Sequence, residues 1–278
     1  MAVDALSALL WEHAVKVKAR DGNNKETAPT PAGGHAASND WQSTLSHTSM
    51  NGGRFLFSSQ QYAQLMSAWG AALESGIEVL NLPSLVERHR HIGPVIIDID
   101  LRQPDSSLDR LYNDADVVAL VSALYDELGR LVDLTETDSR CFVLEKPGPR
   151  RCKGGGFKDG LHIELPMVVT RAEVQVALRR AMLPHVGRIL FNPLDPERFS
   201  NSAEDAYDEA VIEHAGWMLY GAKKPDEPDP WKVTRLHVLS TCKGFGWGRK
   251  PPTQTCLRAG RANGLVRLKW RCKCQLHV

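Results

Sequence analysis

"GPVIIDIDLR", residues 93–102, is a hydrophobic run that carries two aspartates one residue apart. Alternation along a β-strand puts Asp98 and Asp100 on one face and Val95, Ile97 and Ile99 on the other. Same-face positions lie roughly 6.5–7 Å apart along a strand, so two such carboxylates can converge on divalent cations. Without a cation they repel each other, and both are costly to desolvate. The plainer reading is that they mark the solvent-facing end of a core strand.

Three segments further along bear on that choice. In "KDGLHIELP" (158–166), Leu161, Ile163 and Leu165 form a core face, while His162 and Glu164 point the other way. If this strand neighbours the first, His162 lies near the carboxylates; an isolated strand histidine is more commonly a surface or satisfied residue. The loop ahead of it is basic and glycine-rich: Arg150, Arg151, Lys153, Gly154, Gly155, Gly156 and Lys158. Glycines let backbone N–H groups approach phosphate and the cations neutralise it, although an ordinary solvated hairpin has the same composition. Arg150, Arg151 and Lys153 are candidate nucleic-acid contacts. The third segment, "YDEAVIEHAGWMLYGAKKP" (207–225), opens on an acidic cluster and closes on Lys223, Lys224 and Pro225. Taken alone, it reads as a capped helix running into a loop.

The rest of the chain supplies the frame. Residues 52–58 predict a strand after a glycine turn. Residues 58–76 predict a helix with Tyr62, Leu65, Met66, Trp69, Ala72 and Leu73 on one side, capped at Ser58 or Ser59 and stopped at Gly76. The aspartate strand (94–101) is followed by a helix over 114–133, a strand over 140–146, the loop 147–160 and a strand over 161–169. A helix over 170–183, a helical segment over 203–219 and a strand over 231–240 complete the series. That order implies a two-layer α+β unit, with helices on one face of a mostly antiparallel sheet.

Composition is that of a soluble globular protein, with 278 residues, 42% hydrophobic and 24% charged. No apolar run approaches the ~20 residues of a membrane span. The opening "MAVDALSALLWEHAVKVKAR" carries Asp4, Glu12 and His13 and reads as an amphipathic helix, not a signal peptide. An intracellular protein with reduced cysteines is the expectation. Residues 1–40 read as this helix and a flexible linker, 41–240 as the folded body, and 241–278 as a tail. The net charge of +1 hides an asymmetry: the tail has nine Lys or Arg and no acid, whereas the first 240 residues carry a net −8. A polyanionic partner for the tail follows.

Taken in order, "GPVIIDIDLR", "GGFKDGLHIELP" and "YDEAVIEHAGWMLYGAKKP" resemble the archaeo-eukaryotic primase superfamily. They look most like the N-terminal primase domain of the primase–helicases of nucleocytoplasmic large DNA viruses, of the poxvirus and asfarvirus type. "HTSMNGGRFLFS" (47–58) is similar to that group as well, and the resemblance spans roughly residues 41–240. It implies a primase–polymerase catalytic domain: an RRM-like two-layer palm with a mostly antiparallel sheet, plus an N-terminal α/β unit. It implies a nucleotidyltransferase that makes short primers in DNA replication by two-metal catalysis. Asp98, Asp100 and Asp208 would hold Mg²⁺ or Mn²⁺. His162, preceded by Lys158, would meet the phosphates of the incoming nucleotide, and Lys223 and Lys224 would face nucleotide or template. The implied partners are single-stranded DNA, NTP or dNTP, and a helicase in trans, with no membrane. The implied location is the nucleus or cytoplasm, or a viral factory if the source is viral.

Two features depart from the family. No helicase P-loop is present, so the expectation is a stand-alone primase, a truncated copy or an isolated domain. The tail matches nothing placed in the family. Its cations and its aromatics Phe245, Trp247 and Trp270 suit a single strand. Cys242, Cys256, Cys272 and Cys274, with His277, offer zinc ligands, but Cys-x-Cys is tighter than the usual knuckle. A disordered basic tail is the competing reading. For the whole chain, the rivals are a decayed primase that only binds single strands or a replication partner, and a sugar-nucleotide glycosyltransferase using Asp-x-Asp.

Overall fold

A computed structural model describes residues 45–75, 82–88, 91–134, 140–191, 197–241 and 255–261, together with helical positions 6, 8, 10 and 12. Its main sheet is antiparallel, in the order β10(Thr255–Arg261)–β9(Lys232–Thr241)–β5(Arg140–Glu145)–β7(Phe157–Arg171)–β4(Ile92–Gln103), with the short β6(Arg150–Arg151) on β7. The aspartate strand therefore runs well past Asp100. Its two charges sit within the strand and are largely covered, with side chains 16% and 25% exposed, so the solvent-facing-end reading fails.

The alternation holds on both central strands. Val95, Ile97, Ile99 and Leu101 of β4 and Leu161, Ile163 and Leu165 of β7 are buried in one cluster. Two helices cover that face. α2(Asp114–Leu131) contributes Val117, Leu120, Val121, Leu124 and Leu128, and α3(Ala172–Leu190) contributes Leu178, Met182, Val186 and Leu190. The start of α2 is fixed by a capping box, in which Asn113 accepts from the N–H groups of Ala115 and Asp116 while its own N–H donates to Asp116. The helix expected to end at residue 183 continues to Leu190 through Pro184. Proline costs an intrahelical bond there, but Val186 and Leu190, one turn apart beyond it, are fully buried and hold the last turn on the core.

A smaller antiparallel sheet, in the order β2(Arg54–Phe55)–β1(His47–Ser49)–β3(Leu85–Glu87)–β8(Trp217–Met218), stands beside the main one. α1(Ser59–Glu74) packs on it through Leu65, Trp69 and Ala72, and Ser58 and Gln61 close its capping box. Leu6 and Leu10 are buried in the same cluster, while Ala8 and Glu12 are exposed, as an amphipathic N-terminal helix requires. The linker over 21–40 lies outside the described residues. No described helix is long and apolar enough to cross a membrane.

Three expectations need correction. The segment 203–219 is not one helix but α4(Ala203–Ala206), α5(Ala210–Glu213) and β8. The break lets Tyr207 bridge Ile99 and lets the Asp208 N–H donate to the Asp98 carbonyl at 3.0 Å. The loop over 147–160 is mostly a hairpin, because Arg150 and Arg151 pair with Lys158 and Phe157. Part of the tail is also structured, since β10 pairs with β9 from Thr255 to Arg261.

Gly160 of β7 pairs with Asp100 of β4 and leaves no room for a side chain. A Cβ at residue 160 would stand 2.1 Å from the Ile99 carbonyl oxygen, and both sides of that clash are backbone. Gly160→Ala should therefore cost about 2 kcal/mol or more, within or above the usual range for overpacking. Gly129→Ala should stabilise by about 0.5–1 kcal/mol, because residue 129 is helical with open space at its Cβ. Urea unfolding midpoints of the two variants check both signs.

Candidate active site

The pairing of β4 with β7 assembles the polar face. Asp98 stands opposite His162, Asp100 opposite Gly160 and Arg102 opposite Lys158. His162 Nε2 lies 3.4 Å from Asp98 Oδ1, and Lys158 Nζ donates to Asp100 Oδ2 at 2.5 Å. These groups open on a cleft of about 390 Å³ between the two sheets. Its far wall is Thr48, Ser49 and Met50 with Val86 and Arg88, and its rim carries Asp208, Lys223, Lys224 and Trp231.

The expected site residues of the folded body each have a definite place. Asp208 lines the cleft, tied to Asp98 through the backbone, and its Oδ1 accepts from the Ala210 N–H at 2.9 Å. Lys223 and Lys224 also line it. They arrive there because the chain after β8 stays against the smaller sheet and α1. Leu219 N–H donates to the Leu85 carbonyl, Trp69 Nε1 to the Tyr220 carbonyl, and Ser84 Oγ to the Lys223 carbonyl. Arg150 and Lys158 face the cleft, whereas Arg151 and Lys153 do not. Adjacent residues on a strand point to opposite sides, and Arg151 turns outward to Asp105 and the Phe157 ring. Gly154, Gly155 and Gly156 form the turn of the hairpin outside the cleft, and the Gly156 N–H is taken by Asp105 at 2.9 Å. Cys242, Cys272, Cys274 and His277 lie outside the described residues, and Cys256 is described only as a position in β10.

The electrostatics separate the two aspartates. Burial raises the pKa of Asp98, but His162 beside it, with Lys158 and Lys224, outweighs this and holds it below its ordinary value. Asp100 is pushed up, by burial and then by the charge of Asp98, against the pull of Lys158. Asp98 Oδ1 is buried, and its nearest partner, His162 Nε2 at 3.4 Å, lies within reach but off hydrogen-bond geometry. A hard divalent cation takes such carboxylate oxygens, so Asp98, Asp100 and Asp208 fit Mg²⁺ or Mn²⁺ in donor chemistry. Among the described residues no three His, Cys, Asp or Glu already stand as a cage. Lys158 holds Asp100, and a cation there would have to take its place.

Several residues of the site carried no signal in the sequence. Glu227, buried, pairs with Lys146 and Arg150, and Lys223 Nζ donates to the Glu227 carbonyl at 2.9 Å. Trp217 and Trp231 both lie against the His162 ring, and Trp217 Nε1 donates to Glu164 Oε1 at 2.6 Å. Beneath the cleft, Arg110 bonds Asp159 and Glu145, and the Tyr112 hydroxyl lies within bonding distance of Glu145 and of the Gly160 carbonyl. This network fixes the chain that carries Lys158 and Gly160.

Residues 46–237 match the family described as the C962R protein N-terminal AEP domain, an archaeo-eukaryotic primase domain. The chain belongs to this family. "Putative helicase L207/L206" of Acanthamoeba polyphaga mimivirus is 28% identical over 156 residues, covering 56% of this chain and 16% of that protein. "Putative helicase 022R" of Frog virus 3 (isolate Goorha) is 26% identical over 221 residues, covering 75% of this chain and 21% of that protein. The chain thus spans about a fifth or less of the curated relatives it matches. As an archaeo-eukaryotic primase domain, it carries Asp98, Asp100, His162 and Asp208 within the matched span.

The Glu227 group has a pH signature. Burial raises the carboxyl, but the bonds from Lys146 and Arg150 outweigh it, so the pKa of Glu227 is lowered. Burial pulls Lys146 down as well, with Glu227 opposing and Arg150 repelling. A lowered carboxyl adds stability above its unfolded pKa, near 4.3, and loses it as pH falls through the folded value. Glu227→Gln should therefore lose less stability than the parent protein between about pH 5 and 3. Urea unfolding across that range measures it; equal losses would remove Glu227 from the account.

Proposed function

We propose that the chain is a primase-type nucleotidyltransferase that makes short primers on single-stranded DNA from NTP or dNTP. The observation that carries this reading is the Asp98–His162 cross-strand pair, with Asp100 two residues on and Asp208 tied to Asp98, all lining one cleft together with Lys146, Arg150, Lys158, Lys223 and Lys224. Asp98, Asp100 and Asp208 would hold Mg²⁺ or Mn²⁺, as many as two ions. When bound, such a cation supplies charge neutralisation for a triphosphate and acidifies an attacking hydroxyl. His162, Lys158, Lys223 and Lys224 neutralise the phosphates, and Lys146 and Arg150 extend that surface. Thr48, Ser49 and Met50 on the facing wall close the nucleotide's side of the cleft. A helicase acting with this domain is the partner that the names of the relatives suggest. The tail over 241–278 is a candidate path for the template strand.

The test is incubation with single-stranded DNA, NTPs or dNTPs and Mn²⁺. Short labelled oligonucleotides should form with the parent protein and be lost in Asp98→Ala and Asp100→Ala. Burial and the charge of Asp98 disfavour the Asp100 carboxylate, so the melting temperature of Asp100→Ala without metal should stay level or rise; that of Asp98→Ala should fall, because His162 and the lysines stabilise the carboxylate it removes. His162→Ala should raise the nucleotide KM roughly 10–100-fold, the worth of one charge-assisted hydrogen bond, with little change in template affinity. Full synthesis by either aspartate variant would overturn the metal assignment. A parent protein that binds single strands but makes no product would favour the non-catalytic reading.

A further inference from the structure

His162 does not stand alone on its strand. Its ring centroid is 3.8 Å from that of Trp231, the planes 27° apart, and 4.3 Å from that of Trp217, the planes 38° apart. Lys146 Nζ lies 5.2 Å from the Trp231 centroid, and its carboxylate partner is Glu227. Trp217 is held in turn by its bond to Glu164 Oε1. The stacked groups come from separate parts of the chain: His162 from β7, Lys146 from just after β5, Trp217 from β8 and Trp231 from just before β9.

We propose that Trp231 is a positioning residue that sets His162 and Lys146 together as one phosphate-binding unit in the cleft. The inference rests on the primase-type reading for the ligand, a nucleoside triphosphate, but its geometry stands without it. The indole face has a negative quadrupole that attracts the Lys146 ammonium. The same ring offers His162 a flat wall, while Trp217 restricts it from a second direction. His162 is left with Nε2 toward Asp98 and little freedom to turn. Glu227 holds the Lys146 ammonium through an ion pair, and Trp231 limits where that pair can sit. Removing the indole leaves both side chains chemically intact but unlocked, and a displacement of about 1 Å is enough to cost on the order of 100-fold where groups must meet a ligand precisely.

The discriminating experiment uses the full chain, labelled at histidine, with Trp231→Ala and Trp231→Phe. Ring currents from two indoles should shift the His162 ring protons upfield, the signal being assigned by its loss in His162→Gln. Trp231→Ala should move that signal back toward the free-histidine position, and Trp231→Phe should keep most of the shift. In primer synthesis, Trp231→Ala should raise the nucleotide KM about tenfold or more, Trp231→Phe should recover most of it, and template affinity should stay within about twofold. An unshifted His162 signal in the parent protein overturns the inference. So does a Trp231→Ala variant with parental KM, or equal losses in the Ala and Phe variants. If the parent protein makes no primers while the His162 signal behaves as stated, the primase-type reading fails and the positioning role stands.

Discussion

The antiparallel pairing of β4 with β7 is the constraint on which the rest of the structure depends. One register does two jobs at once. It turns Val95, Ile97, Ile99 and Leu101 toward α2 and α3, and it turns Asp98 and Asp100 toward His162 and Gly160. A slip of one residue would exchange the faces, exposing the core side chains and burying both carboxylates beneath the helices. The hydrophobic set therefore enforces the position of the polar set. Core burial of several aliphatic side chains, each worth about 1.5–3 kcal/mol, outweighs the cost of placing two like charges side by side.

The cleft is then completed by chain segments that reach the pair from elsewhere. The break between α4 and α5 brings Asp208 to the Asp98 carbonyl. The run from β8 to Lys224 stays on the smaller sheet and is anchored there by Leu85, Trp69 and Ser84. Glu227 collects Lys146 and Arg150 and prevents a dense group of cations from repelling itself apart. The site thus sets carboxylates and cations side by side, the combination that the proposed metal and polyphosphate would use.

Much of this was legible in the sequence where alternation alone decides it. Asp98, Asp100 and His162 fall on the polar face because their neighbours at odd spacing are aliphatic, and a single strand suffices to show that. Asp208 could be placed only by order along the chain, because its approach to Asp98 depends on a helix break that no local propensity announces. Lys146, Glu227, Trp217 and Trp231 were not legible as site residues, since each is unremarkable in its own segment and meets the others only in the folded chain. The place of the glycine turn was hidden for a related reason: it lies outside the cleft, and Asp105, far away in sequence, occupies the Gly156 N–H. The end of α3 was missed because burial of Val186 and Leu190 overrides the proline before them.

The most direct measurement is a crystal structure grown with Mn²⁺ and a non-hydrolysable nucleoside triphosphate, with the metal located by its anomalous signal. The account predicts manganese bound by oxygens of Asp98 and Asp100 at about 2.2 Å, with Lys158 moved off Asp100 toward the phosphates and His162 still against Trp231. Manganese bound away from both aspartates, or the Lys158–Asp100 pair intact with the nucleotide in place, would contradict it.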